Sequence, residues 1–348
     1  MKRLISSIIA VAMTAGCFSA CSVNNVAAKT HDNIEIVTTI FPEYDWVMNV
    51  LGNNPANADV TLLLDSGVDL HSFQPTAGDI LKVSTCDLFV YVGGESDGWV
   101  DDVLKEATNK DMIVINLLDV LGDSVKEEEV VEGMEAEHDH DHEHEDHDED
   151  HDHDEDHDHD EEHEHHHGDV EYDEHVWLSL RNASVLVSSI SDAIRKIDAG
   201  NAELYKANTE SYIEKLKALD DEYKTVVENA SFKTLLFGDR FPFRYMTDDY
   251  GLDYYAAFVG CSAESEASFE TITFLSKKMD ELSLPAIITI EGKDHRIAET
   301  IVENTETKDQ VILTLDSMQS TTMDDIKNGK TYISVMESNL AVLKEALK

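Results

Sequence analysis

The sequence predicts an α/β protein of two lobes, each a four-stranded parallel sheet flanked by helices, joined by one long linker helix. Three observations carry this. Eight short apolar runs rich in β-branched residues are spread along the chain, and runs of this kind read as strands buried on both faces of a parallel sheet. Helical stretches separate them, which is the pattern of α/β folds. A strand-free stretch, Trp177 to Ala230, with Gly200 its only glycine, divides the runs into two sets. At 348 residues and 42% hydrophobic, the chain is long enough to build two cores.

The first set of strands is expected at Ile34–Ile40, Val60–Leu64, Leu88–Val92 and Met112–Leu117. Helices are expected between them, around Tyr44–Leu51, Gly78–Val83 and Gly98–Ala107. Two more helices should fill the dividing stretch, Trp177–Ile197 and Ala202–Asn229. In the second of these, Tyr205, Tyr212, Leu216, Leu219, Tyr223 and Val226 recur as one apolar stripe. A helix of that length spans about 40 Å at 1.5 Å per residue. It suits a spine along both lobes, the alternative being an ordinary packed helix inside one of them. The second set of strands is expected at Lys233–Phe237, Tyr254–Val259, Ala286–Ile290 and Val311–Leu315. Helices around Ala267–Glu281, Asp294–Glu303 and Ser334–Ala346 accompany them. The expected domains are a first lobe over 33–200, a linker helix over 201–230 and a second lobe over 231–348.

The chain opens with the basic Met1–Lys2–Arg3 and an apolar run, Leu4 to Ala15, too short to span a bilayer comfortably. This reads as an export signal over residues 1–20. Small residues before Cys17 and Cys21 look like a bacterial lipoprotein signal. Cys21 is the favoured lipid-bearing residue, because Phe18 supplies the apolar side chain three positions upstream. The expected location is the outer side of the cell membrane, held by acyl chains. Cys86 and Cys261 are then the cysteines left in the body. They fall in different lobes and are expected as buried free thiols, with no CxxC to suggest a thiolate zinc site.

The formal net charge is −47, which makes nucleic acid a poor partner. The charge is concentrated: 27 of the 73 acidic side chains, and no Lys or Arg, lie between Glu127 and Glu174. Thirteen of the 17 His lie between His138 and His167, mixed with acids. The segment 125–173 is low in complexity, has no apolar stripe and is expected to be a disordered loop. Its imidazoles and carboxylates suit several weak divalent-metal sites.

Outside that segment only His31, His71, His175 and His295 occur. His31 lies in a polar lead-in. His71 follows the second strand and His175 precedes a helix, so both stand at helix entrances. Asp239, Glu291 and Asp316 close strands. Carboxyl ends of parallel strands face the crevice where α/β folds bind ligands. Two imidazoles with carboxylates in one crevice suit a divalent transition metal.

These residues carry a resemblance. His71-Ser-Phe-Gln-Pro75, then Asp87–Leu88–Phe89 through Gly93–Gly94 to Trp99, Glu174–His175–Val176–Trp177–Leu178, Phe243–Arg244–Tyr245 with Tyr250–Gly251–Leu252, and Thr314–Leu315–Asp316 stand in the order of a known family. The chain resembles the zinc- and manganese-specific solute-binding lipoproteins of bacterial ABC importers from Ile34 to Lys348, apart from the acidic segment. The resemblance implies a metal buried between two lobes joined by a long helix. It implies His71 and His175 as ligands from the first lobe and Asp316 from the second. A further His or Glu is expected where this chain has Arg240, which has no lone pair to offer. Asp239, Glu291 or a water are the possible replacements, and Glu291 is preferred. Arg240 would then neutralise surplus carboxylate charge.

The implied function is capture of Zn²⁺ outside the membrane and delivery to an ABC permease and its ATPase, without catalysis. Imidazole favours zinc over Mn²⁺. A monomer is expected. The competing readings are a metal-dependent hydrolase, for which no HExxH or nucleophile motif is found, and a metal-buffering or adhesin lipoprotein without transport.

Overall fold

Strand-forming runs alternate with amphipathic helices, and this alternation sets the architecture. The computed structural model describes residues 33–135, 171–262, 266–292 and 294–348. The expected signal, the lipidation cysteines and the His-rich stretch lie outside them. The first sheet comprises β1 (Glu35–Thr38), β2 (Asp59–Leu62), β3 (Leu88–Tyr91) and β4 (Ile113–Asn116). Helices α1 (Phe41–Leu51), α2 (Ala77–Thr85), α3 (Val100–Glu106) and α4 (Leu117–Leu121) accompany it, followed by α5 (Leu180–Ile197) and α6 (Ala202–Glu228). The second sheet comprises β5 (Thr234–Phe241), β6 (Asp253–Val259), β7 (Ala286–Ile290) and β8 (Val311–Leu315). Around it lie α7 (Arg244–Tyr250), α8 (Phe269–Leu282), α9 (Arg296–Glu303), α10 (Met323–Lys327) and α11 (Tyr332–Ala346). Among the described residues no helix is long and apolar enough to cross a membrane.

Both sheets are parallel, in the orders β2-β1-β3-β4 and β6-β5-β7-β8. The two lobes thus repeat one topology. In each, the chain steps outward once and then crosses back, so the order reverses between β1 and β3 and between β5 and β7. Those reversal points open at the carboxyl ends of the strands, where such sheets bind ligands.

Helix α1 starts earlier than the apolar run suggests. Pro42 sits in its first turn, and the Glu43 carboxylate accepts from the backbone N–H of Thr39 (2.8 Å) and of Ile40 (3.2 Å). That satisfies donors that a helix start leaves unpaired. Three short helices, α4, α7 and α10, had no counterpart in the sequence reading.

Helix α6 has 27 residues and packs on both halves of the molecule. The Tyr212 hydroxyl donates to Asp45 Oδ2 on α1 (3.1 Å), and the Tyr223 hydroxyl donates to the Met336 carbonyl on α11 (2.6 Å). The spine reading of the stripe is therefore the correct one. The lobes also share core. Trp46 of α1 meets Tyr332 of α11 edge to face at 5.3 Å, and the Tyr332 hydroxyl donates to the Trp177 carbonyl (2.6 Å). One apolar cluster runs continuously from Ile36 to Leu347.

Of the expected disordered loop over 125–173, residues 125–135 and 171–173 are described and take up defined contacts; the rest lies outside the described residues. Glu127 pairs with Tyr172 in an antiparallel bridge, and Asp173 N–H donates to the Lys126 carbonyl (2.9 Å). The outgoing arm then crosses to the second lobe. Glu129 meets Arg244 and the Tyr254 hydroxyl (3.0 Å to the latter), and Glu135 bridges to Phe258 on the edge of β6. Acidity does not prevent order where basic and hydroxyl partners line the route.

The spine gives a stability prediction. Leu216 is fully buried on α6, whereas Lys217 is exposed. Leu216→Ala should lower the unfolding free energy by about 2–5 kcal/mol and Lys217→Ala by less than about 0.5 kcal/mol, measured by urea denaturation.

Candidate metal centre

His71 lies on a single 3₁₀ turn, Leu70–Ser72, between β2 and α2. Asp69 caps that turn, its Oδ1 accepting from the His71 backbone N–H (3.0 Å). The ring is fixed from behind: Nδ1 lies 2.8 Å from Ser96 Oγ and 3.6 Å from Glu174 Oε2. Ser96 arrives on the turn after β3. Gly94 there has φ +79°, and a Cβ on it would stand 2.3 Å from Glu174 Oε1. Only glycine combines that backbone with that approach. Glu174 Oε1 in turn accepts from Ser96 N–H (3.0 Å).

His175 is wholly buried just before α5. Asp173 Oδ1 accepts from its backbone N–H (2.8 Å) and lies 3.0 Å from its Nδ1. Both rings therefore have Nδ1 occupied and turn Nε2 inward. The two Nε2 atoms are 3.3 Å apart. Two nitrogen lone pairs at that separation repel unless a proton or a cation stands between them. Burial first, and then the electrostatic influence of His175 and Arg240, hold the His71 pKa down at about 4 against the pull of Asp69 and Asp173. Its ring is thus neutral near pH 7, the form that binds metal.

A third donor comes from the second lobe. Cys261 follows β6, separated from it only by Gly260. A Cβ on Gly260 would stand 3.1 Å from His175 Cε1 and 2.8 Å from the Phe241 carbonyl. The lack of a side chain lets this strand end lie against the imidazole. Cys261 N–H donates to Glu128 Oε1 (3.1 Å), on the arm described above. Ligand atoms of His71, His175 and Cys261 all lie within 4.8 Å of one another, the one such group among the described residues. Burial, with the negative charges of Asp173, Glu128 and Glu174, pushes the thiol pKa up.

Arg240, near the end of β5, reaches across the lobes. It donates to Asp69 Oδ2 (2.8 Å) and to the Ser262 carbonyl (3.2 Å). Burial alone would raise the Asp69 pKa; the charge and hydrogen bond of Arg240 outweigh it and bring it below the usual range. Gln319, after β8, closes the other side. One end of its side-chain amide lies 2.9 Å from His175 Nε2 and the other 2.9 Å from both Asp69 oxygens, so the orientation that satisfies the Asp69 carboxylate puts the nitrogen on its side. A cavity of about 710 Å³ opens beside Arg240, lined also by Asp69, Asp239 and Glu291.

Of the four ligands expected from sequence, the structure brings His71 and His175 together. Asp316 and Glu291 lie outside the group that His71 and His175 form with Cys261. Asp316 Oδ2 pairs with Lys330 Nζ (2.8 Å) and its Oδ1 accepts from Met318 N–H (2.8 Å). Glu291 accepts from Ser317 N–H (2.6 Å), Ser317 Oγ (2.7 Å) and Gln319 N–H (3.0 Å). Both carboxylates hold the turn that carries Gln319. Asp239 is likewise engaged, by the backbone N–H groups of Arg240 (2.9 Å) and Ile290 (3.2 Å). Cys86 and Cys261 are both free thiols, Cys86 fully buried and Cys261 partly so. Asp69, Ser96, Asp173, Cys261 and Gln319 were not singled out from the sequence. The Gly-Cys pair directly after a strand was the available signal for one of them.

Two parallel-sheet lobes, with a helix running behind both and inward-facing imidazoles where they meet, make this a two-lobed α/β protein with a candidate metal crevice. The chain belongs to the family described as zinc-uptake complex component A, periplasmic, whose model matches residues 36–346. The zinc-binding protein AdcA of Streptococcus pyogenes is 32% identical over 323 residues, covering 89% of this chain and 55% of that protein. The chain thus spans about half the length of that relative. The high-affinity zinc uptake system protein ZnuA of Bacillus subtilis is 30% identical over 349 residues, covering 96% of this chain and 95% of that protein. Among solved structures, the Zn(II)-bound ZnuA-like domain of Streptococcus pneumoniae AdcA superposes with a TM-score of 0.65 at 27% identity, covering 90% of this chain and 99% of that one.

The turn behind His71 gives a pH prediction. Asp97 Oδ2 accepts from Gly93 N–H (3.0 Å), and burial, helped by the charge of Glu174, pushes its carboxyl up to about 7. A raised carboxyl pKa means that the folded state holds the proton more tightly than the unfolded one. Its share of stability is then fully present below about pH 4 and is lost as pH rises to about 7. Asp97→Asn, which keeps an acceptor but cannot ionise, should gain stability over the wild type by up to about 4 kcal/mol across that window. Denaturant unfolding at pH 4.5 and pH 8 measures this. An advantage that does not grow with pH would place the ionised carboxylate in an environment that welcomes it.

Proposed function

We propose that this protein captures Zn²⁺ where its lobes meet, with His71 and His175 as ligands, and delivers it to the permease and ATPase of an ABC importer. The observation that carries the reading is the 3.3 Å between the two Nε2 atoms. Tetrahedral zinc with Zn–N bonds of about 2.0–2.1 Å holds two imidazole nitrogens about 3.3–3.4 Å apart. The nitrogens thus already stand at the spacing of two zinc ligands, and Ser96 and Asp173 fix the rings behind them as outer partners do in zinc sites. The relatives above are named for zinc binding and zinc uptake, which supports a binding role over a hydrolytic one. In this reading the protein is exported and held on the outer membrane face through Cys21. The His-rich stretch between His138 and His167 collects divalent ions weakly nearby, and its negative charge draws cations toward the protein.

The test is zinc titration calorimetry against a competing chelator. His71→Ala and His175→Ala should each weaken the tightest binding event by more than about 100-fold, since loss of even an outer partner costs 10–100-fold. Deleting residues 138–167 should leave that event intact and remove the weaker ones. Wild-type affinity in both His variants, or loss of the tight event with the deletion, would refute the assignment.

A further inference from the structure

Resting on that reading of the site, we propose that Cys261 is the second lobe's ligand, so that the captured ion is held by two imidazoles and one thiolate. Neither Asp316 nor Glu291 takes that place.

Geometry comes first. Cys261 Sγ belongs with one ring nitrogen each of His71 and His175 to a group whose members all lie within 4.8 Å. On tetrahedral zinc, with Zn–S about 2.3 Å and Zn–N about 2.0–2.1 Å, sulfur and nitrogen stand about 3.6 Å apart. A rotation of the thiol, moving sulfur by about 1 Å, covers the difference.

The backbone supports the approach independently. Gly260 lies so close to the His175 ring that any side chain there would press on it, at 3.1 Å from Cε1. The next residue is therefore delivered to the imidazole by the end of β6. Glu128 holds its backbone N–H from the outside (3.1 Å). A thiol that merely filled space would need neither the stripped glycine nor a carboxylate tether.

The competing donors are engaged elsewhere. Lys330 holds Asp316, the Ser317 turn holds Glu291, and backbone N–H groups hold Asp239. Arg240 stands where the sequence pattern called for a ligand. Its guanidinium is bound to Asp69 and to the carbonyl of Ser262, the residue next to Cys261. The arginine thus anchors the strand end that carries the thiol.

The chemistry is balanced by one proton. As zinc enters, the S–H bond is replaced by a Zn–S bond and the proton leaves to solvent. A thiolate also sets selectivity. It suits borderline-soft zinc and disfavours hard Mn²⁺, which prefers oxygen.

The test uses the full chain with Co²⁺ alone as the probe, because a cobalt–thiolate bond absorbs in the near ultraviolet and imidazole or carboxylate ligation does not. The wild type and Cys86→Ser should both show the band, and Cys261→Ser should lose it. Zinc affinity should fall more than tenfold in Cys261→Ser. Cys261→Asp should recover part of it without the band, and should bind Mn²⁺ more tightly than the wild type does. Should Cys261→Ser fail to fold, thiol alkylation of the wild type followed by peptide mass spectrometry gives the second reading. Cys261 should react in the metal-free protein and be protected by zinc, and His71→Ala should lose the protection. A cobalt complex without the band, or zinc that leaves Cys261 as reactive as before, overturns the thiolate. If His71→Ala still abolishes tight zinc binding in that case, the capture site stands and only the third ligand falls. If His71→Ala binds as tightly as the wild type, the capture site itself is wrong.

Discussion

Two imidazole nitrogens facing each other at 3.3 Å in a buried place is an arrangement that needs a positive charge between them. Much of the surrounding chain serves to impose it. Asp69 caps the His71 turn, Ser96 holds its ring, and the turn through Gly93 and Gly94 exists to bring Ser96 and Glu174 together. Asp173 does for His175 what Ser96 does for His71. None of these groups gains from the arrangement on its own. Glu174 and Asp97 are buried carboxyls whose pKa values rise, and Glu174 Oε2 has no hydrogen-bond partner. A fold accepts such costs at a site, not in an ordinary core.

Arg240 brings a fixed positive charge into this neighbourhood, which on its own would oppose a dication. Asp69 answers it with a hydrogen-bonded ion pair, so the charge that the crevice sees is small. The pair also crosses the lobes, from the end of β5 to the cap of the His71 turn. A structural tie therefore stands where the family pattern calls for a ligand, and the second lobe's donor has to come from another strand end. The β6-β5-β7-β8 order supplies one, because β6 lies directly beside β5. Phe241 and Val259 are paired in register, and the chain leaves β6 at Gly260 and Cys261.

The same order explains what the sequence revealed and what it withheld. Periodicity located the strands and the α6 stripe, because burial on both faces of a sheet or along one face of a helix leaves a direct mark on residue choice. His71 and His175 were legible because imidazoles at helix entrances are few outside the acidic segment. Asp316 and Glu291 were placed correctly at strand ends, but both lie outside the group of His71, His175 and Cys261. Lys330 decides the fate of Asp316, and it lies 14 residues on in a loop that no local pattern links to the strand. Cys261 was read as a buried free thiol, because its place beside His175, 86 residues away and in the other lobe, leaves no local mark. The arm from Val125 to Glu135 was hidden by composition: its acids pair with Arg244, Tyr254 and Lys278, none of which is near in sequence.

The proposed capture and delivery would need a bound and a released arrangement, and the core limits where these can differ. One apolar cluster joins both lobes through Trp46, Trp177 and Tyr332, with α6 packed behind it. Parting the lobes would expose that surface, at a cost of about 2.5 kcal/mol for each 100 Å². The ligand-bearing segments meet no such cost. His71 sits on one 3₁₀ turn, Cys261 on a strand end, and Gln319 on a turn held by two carboxylates. Breaking the Arg240–Asp69 pair would free the first two together, because Asp69 caps the His71 turn and the Ser262 carbonyl follows Cys261. Those are hydrogen bonds at a partly exposed edge, of the kind that a docking partner's own charges can replace. The fold is therefore stiff where the lobes join and around the buried His175, and the segments carrying His71 and Cys261 are where the two arrangements can differ.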